Sequence, residues 1–97
     1  MPKSYVVAQM LVNDTEAYKS EYATKVAATV HKFGGSYLIR GGDMTQLEGS
    51  LPYNRVAVLE FPDKTTALAW YNSEDYQSII DGRKNNADTC LNIIDGV

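Results

Sequence analysis

A glycine pair, five strand-forming residues and a second glycine pair follow one another in Gly34-Gly35-Ser36-Tyr37-Leu38-Ile39-Arg40-Gly41-Gly42. No other stretch limits the fold as tightly. Glycine costs helices and strands alike, so a pair marks an end, and a run of five suits a strand and falls short of a helix. Whatever precedes Gly34 must therefore be finished there, and whatever follows Gly42 must start afresh.

Upstream, residues 4–12 are rich in strand formers and bounded by Pro2 and Asn13-Asp14, which predicts a first strand. Val6, Ala8, Met10 and Val12 make one wholly apolar face, and Tyr5, Val7, Gln9 and Leu11 a second that is nearly so. A strand apolar on both faces is central in its sheet or is covered twice. Asn13 or Asp14 then caps a helix over Thr15 to Lys32, with Tyr18, Tyr22, Val26, Val30 and Phe33 as its apolar stripe and Gly34-Gly35 as its left-handed stop.

Downstream, Ser36 to Arg40 reads as the second strand and residues 41–54 as a long polar loop. Arg55 to Phe61 is the third strand, with Ala57, Leu59 and Phe61 on one face and Val56, Val58 and Glu60 on the other. Asp63 caps a second helix carrying Ala67, Leu68, Trp70 and Tyr71; Asn72-Ser73 breaks it, and Ser73 with Glu74 and Asp75 restarts it. Tyr76, Ile79, Ile80, Arg83 and Ala87 are expected to share its face, and Thr89 to Ile94 to form the last strand.

The order βαββαβ predicts an α+β, ferredoxin-like domain over residues 1–97: a four-stranded antiparallel sheet, first and third strands central, both helical segments on one face. The other face would expose Tyr5, Val7, Leu11, Val56 and Val58, more apolar surface than a monomer tolerates. A second copy packed sheet to sheet is the expected cover, giving a homodimeric α+β barrel. A net charge of −3 without a basic cluster argues against nucleic acid and anionic membranes. The run Tyr5–Val12 is too short to span a bilayer and lacks the marks of a signal peptide. With a lone Cys90 and a lone His31, no disulfide framework, metal or organic cofactor is expected, and the setting is expected to be cytoplasmic. Cys90 is expected to be a buried, inert thiol.

Several separated blocks resemble one family. They are Gly34 to Gly42, Leu47-Glu48-Gly49, Arg55-Val56-Ala57-Val58-Leu59-Glu60-Phe61-Pro62, Ala69-Trp70-Tyr71-Asn72-Ser73-Glu74-Asp75-Tyr76, Arg83 and Asp95-Gly96. In this order they resemble the domain-of-unknown-function family numbered 1330, within the dimeric α+β barrel superfamily. At Asn72-Ser73-Glu74-Asp75 the family more usually has a proline after the serine, a departure that bears on how the second helix restarts. The resemblance implies the fold and the homodimer. By analogy of fold it also points to small cofactor-free monooxygenases and isomerases that act in a cavity beside the sheet.

Arg40 and Glu60 are the charges set inside apolar strands. Strict alternation would put Ser36, Leu38 and Arg40 on the face of Val56, Val58 and Glu60, making Arg40 and Glu60 neighbours. One reading is a structural ion pair; the other is a catalytic pair, Arg40 anchoring a substrate and Glu60 moving a proton. Trp70, Tyr71, Tyr76 and Arg83 cluster by spacing as core, or as the walls and anchor of a substrate site, with Glu48 or a ligand carboxylate as the acceptor for Arg83. Two functions therefore stand side by side: a cofactor-independent enzyme acting on a small, anionic or enolisable molecule, and a non-catalytic ligand-binding or structural dimer.

Overall fold

The computed structural model of the protein describes residues 2–97. Strands β1 (Ser4–Val12), β2 (Ser36–Arg40), β3 (Arg55–Phe61) and β4 (Ala87–Asp95) form one sheet in the order β2-β3-β1-β4. Every neighbouring pair is antiparallel. The helical elements are α1 (Thr15–Tyr18), a π-helical segment (Lys19–Ala23), α2 (Thr24–Lys32), α3 (Lys64–Tyr71), α4 (Glu74–Gln77) and α5 (Ile80–Lys84). The expected ferredoxin-like α+β arrangement, with the first and third strands in the middle, is the one observed.

Alternation decides the layering. Val6, Ala8 and Met10 of β1 and Ala57, Leu59 and Phe61 of β3 are buried beneath the helices, in one core with Tyr18, Tyr22, Val26, Val30, Ala67 and Trp70. Fully burying a side chain such as Val6, Met10 or Phe61 contributes about 1.5–3 kcal/mol. The opposite face carries no helix. There Tyr5, Val7, Val56 and Val58 are half-buried, and Ile39 and Ile94 are exposed.

The helices start where side-chain oxygens meet free backbone donors. Asp14 accepts from Ala17 N–H at 3.0 Å, Asp63 from Thr66 N–H at 2.7 Å, and Ser73 from Tyr76 N–H at 3.2 Å. Ser73 thus restarts the second helical region without the proline, as the sequence leads one to expect. Gly34, at φ +76°, ends α2.

Four expectations are corrected. The helix over Thr15–Lys32 is not uniform: Thr24 N–H reaches back to the Lys19 carbonyl, five residues away, so one turn is widened. The last strand begins at Ala87 rather than Thr89. Ala87 pairs with Val12, and the Asn86 carbonyl just before it accepts from Asn13 N–H, so the chain has left the helix by then. Leu68 is exposed and outside the core. Cys90 is exposed on the uncovered face, where the Tyr53 hydroxyl donates to its Sγ at 3.3 Å. It faces the side of Gln9, its partner on β1, because alternation from buried Ala87 turns every second side chain away from the helices.

The π-helical segment has a visible support. Gly82 of α5 packs directly on it: a Cβ at Gly82 would stand 2.6 Å from the Glu21 carbonyl oxygen. Only glycine lets the two backbones approach this closely.

Candidate functional site

Between the sheet and the segment running from α1 to α2 lies a narrow cavity of about 20 Å³, room for about one water. Its walls are apolar residues of β1, β3 and α2, together with Tyr18, Tyr22, Tyr37 and Trp70; Arg40 and Arg55 supply its charges. Beside it a wider crevice of about 240 Å³ opens between α1, the π-helical segment and the start of β3. Tyr18, Ala23 and Arg55 line both, so the crevice is the antechamber of the cavity.

A break in alternation brings Arg40 here. Along the β2–β3 ladder Ser36 opposes Glu60 and Tyr37 opposes Leu59, but Ile39, not Leu38, opposes Val58, and Arg40 opposes Ala57. Leu38 is the extra residue of a bulge, and each residue after it changes face. The expected neighbourhood of Arg40 and Glu60 is thereby corrected: they lie on opposite faces of the sheet. Arg40 donates through Nη2 to the Ala23 carbonyl at 2.9 Å and lies over the Tyr37 ring, 4.7 Å from its centroid. Glu60, on the uncovered face, meets Lys3 Nζ and the Tyr5 hydroxyl, each at 3.3 Å.

Arg55 reaches the site by ordinary pairing. It opposes Met10 in the β1–β3 ladder, so it points to the helix side. Its guanidinium rests 5.4 Å from the Tyr18 ring centroid and against Gly41, where a Cβ would fall 2.1 Å from Nη1. Gly41, at φ +66°, provides both the turn and the space.

The second cluster expected from the sequence is assembled, but mostly behind the cavity wall. Trp70 lines the cavity. Tyr76, with no exposed surface, shares a 2.8 Å hydrogen bond with the Tyr22 hydroxyl and accepts from Arg83 Nε at 3.4 Å. Arg83 is buried, 5.9 Å from the Tyr22 ring centroid. Its acceptor is thus Tyr76, not the expected Glu48, which is exposed in the loop and whose carbonyl accepts from the Gln46 amide. Arg83 and Tyr76 hold Tyr22 in place from behind. Tyr71 is half-buried and lines a separate shallow surface with Leu91 and Ile93.

The electrostatics are one-sided. Among the described residues the side-chain ion pairs are Lys3–Glu60 and Lys32–Asp75, so Arg40, Arg55 and Arg83 lie against tyrosine rings without a carboxylate, and only Arg40 and Arg83 donate to neutral oxygens. Burial, with help from Tyr76, raises the Tyr22 phenol well above its ordinary pKa. Burial pushes Tyr37 up to about 12. Both phenols keep their protons at neutral pH and offer donors rather than bases. No Asp, Glu, His or Cys lines the cavity, and no three such residues gather as a metal set among the described residues. The arrangement places unpaired positive charge beside apolar surface, an environment that favours an anion.

Sequence reasoning missed Arg55, Tyr18, Tyr22 and Tyr37 as site residues. Arg55 was within reach, since it falls in step with Ala57, Leu59 and Phe61.

The family model described as Domain of unknown function (DUF1330) matches residues 3–97. No curated protein matches the chain. Among solved structures, a protein of unknown function from Rhodopseudomonas palustris is similar with a TM-score of 0.79 at 14% identity, over 99% of this chain and 83% of that one. SnoaB from Streptomyces nogalater, a cofactor-independent oxygenase, is similar with a TM-score of 0.63 at 10% identity, over 100% and 95%. A protein from Bacteroides thetaiotaomicron, described as of unknown function and a possible oxidoreductase, gives 0.62 at 10%, over 98% of each chain. At these identities the likeness is one of fold. No helix among the described residues is long and apolar enough to cross a membrane.

Proposed function

The chain belongs to the DUF1330 family, and from that premise we propose that it acts, without a cofactor, on a small anionic or enolisable molecule held in the crevice at the mouth of the cavity between helices and sheet. The observation that carries this reading is the pair of arginines, Arg40 and Arg55, on an apolar, tyrosine-lined cavity with no carboxylate to neutralise them. A substrate that enters already ionised, as an enolate or phenolate that has given its proton to solvent, gains most from such a wall, because cations and phenol donors stabilise its charge. Of the two activities suggested by fold analogy, oxygenation fits better than isomerisation. An isomerase needs a group that takes a proton and returns it, and the lining phenols, held protonated, do that poorly; oxygenation of a substrate that arrives ionised needs no such group, its electrons passing to dissolved molecular oxygen. The oxygenase activity of SnoaB supports the choice by analogy alone.

Arg40 and Arg55 are the residues assigned to the charge, and Tyr22, Tyr37 and Trp70 are assigned to the walls. Glu60 lies on the other face with Lys3 and Tyr5 and is not assigned to this reading. A second reading, ligand binding without turnover, is favoured by the lining of the cavity, in which no Asp, Glu, His or Cys offers a base. The uncovered sheet face supports a homodimer packed sheet to sheet, and the exposed, unpaired Cys90 suits a reducing cytoplasm.

The test uses the whole protein with 1,4-dihydroxynaphthalene and a cyclic 1,3-diketone as probes, followed by amide NMR shifts and oxygen uptake. Shifts at Ala23, Gly41 and Arg55 with enzyme-dependent oxygen uptake, lowered by Arg40→Met, support the enzyme. The same shifts without uptake support the binding protein. Shifts confined to other residues overturn both.

A further inference from the structure

The crevice in front of the cavity has a composition of its own. Thr15, Lys19, Gly41, Asn54 and Arg55 surround it, with Tyr18 at its inner end, and no carboxylate lines it. Arg55 Nε is buried without a hydrogen-bond partner in the protein. A buried donor on a charged group is costly to leave unmade, and packing, not an acceptor, fixes this guanidinium: Tyr18 lies on one side and Gly41 on another. Lys19 is exposed and takes part in no ion pair among the described residues. Asn54 Oδ1 is engaged by Val12 N–H at 3.0 Å, which leaves its Nδ2 to donate.

We propose that this crevice is a subsite for the carboxylate of an amphipathic acid, whose flat apolar body lies within the crevice against Val12, Tyr18 and Ala23, at the mouth of the cavity. The inference rests on the reading of the cavity as a ligand site. Carboxylate is favoured over free phosphate on two grounds. One planar guanidinium matches a carboxylate in two parallel hydrogen bonds. The crevice also offers apolar surface at Val12, Tyr18 and Ala23 that an inorganic anion would leave unused. Lys19 is the second cation and draws the acid to the mouth from solvent.

The experiment measures dissociation constants for 2-naphthoate, 2-naphthamide and inorganic phosphate by amide NMR titration of the full chain. Naphthoate is expected to bind roughly tenfold more tightly than the neutral amide, with shifts at Gly41 and Asn54. Arg55→Met should abolish that preference by weakening naphthoate far more than naphthamide. Lys19→Met, at an exposed position that spares the core, should weaken naphthoate severalfold, and it decides the matter if the Arg55 variant fails to fold. Equal binding of acid and amide, or a preference that survives both substitutions, overturns this inference alone. Phosphate binding at the same amides as tightly as naphthoate also overturns it. Failure of both naphthyl probes to perturb the amides of either the crevice or the cavity overturns the ligand-site reading and this one with it.

Discussion

Replacing Tyr76 by phenylalanine removes one oxygen atom from a place where two other groups depend on it. The Tyr22 hydroxyl, 2.8 Å away, loses its recorded partner, and Arg83 Nε loses its acceptor at 3.4 Å. Both are inside the core, and an orphaned buried polar group costs about 1–3 kcal/mol. The long Arg83 contact belongs near the low end of that range, so the expected loss is about 2–4 kcal/mol. For a domain of this size that should lower Tm by more than about 8 °C. Tyr22→Phe removes the other hydroxyl but leaves Tyr76 to receive Arg83, so it should cost about 1 kcal/mol. The double variant should cost no more than Tyr76→Phe, because the orphaned Tyr22 hydroxyl is then gone as well. Urea unfolding read by Trp70 fluorescence suits the question, since Trp70 is the only tryptophan and its ring centroid is 4.1 Å from that of Tyr76. Protein concentration must be held constant, given the proposed dimer. A Tyr22→Phe loss equal to or larger than that of Tyr76→Phe, or strict additivity, would refute the reasoning.

Gly82→Ala forces a Cβ against the Glu21 backbone and should lower the urea-derived stability by about 1–3 kcal/mol; an unchanged midpoint would show that α5 and the π-helical segment are not rigidly packed. The Asp63 carboxyl, held below its ordinary value of 3.8 by the Thr66 N–H, stabilises the fold fully above that value, and the contribution is lost as pH falls through 3.8 and below. Asp63→Asn keeps the cap without the titration, so wild type should lose more stability than the variant between about pH 5 and about pH 2; parallel curves count against the assignment. Sedimentation equilibrium at micromolar concentration should show a dimer, and a species of only ~10 kDa would mean that the uncovered face with Val7, Val58 and Ile94 stays in water.

The layers were legible because periodicity reports burial directly. Val6, Ala8 and Met10 in β1, and Ala57, Leu59 and Phe61 in β3, alternate with residues of the other face in both sequence and structure. The caps were legible for a similar reason: Asp14, Asp63 and Ser73 stand where a side-chain oxygen must satisfy free N–H groups. The site was harder to see because it depends on departures from period. A bulge adds one residue and leaves no mark in a run such as Ser36–Arg40, yet it reverses the face of every residue beyond it. Reading straight through Leu38 put Arg40 beside Glu60 and directed attention to a pair that the fold separates. The widened turn at Lys19–Ala23 is equally silent, since Tyr18 and Tyr22 keep the spacing of an ordinary stripe. Its trace lies more than fifty residues downstream, in Gly82.

Those two irregularities meet at one hydrogen bond. The bulge at Leu38 turns Arg40 to the helix side, and Ala23, whose carbonyl receives Arg40 Nη2, is the last residue of the π-helical segment. A regular β2 would send the guanidinium to the uncovered face. A regular helix would change the angular position of each residue after the wide turn, the Ala23 carbonyl included. Each departure costs local hydrogen bonding, and neither is needed to bury the core of Val6, Phe61 and Trp70. Both lie on the mouth of the cavity, where Arg55 sits against Gly41. Backbone irregularity concentrates where side chains must be aimed rather than merely buried. On that ground we place the proposed function at the mouth formed by Arg40, Ala23, Tyr18 and Arg55, rather than at the sheet pair first suggested by Arg40 and Glu60.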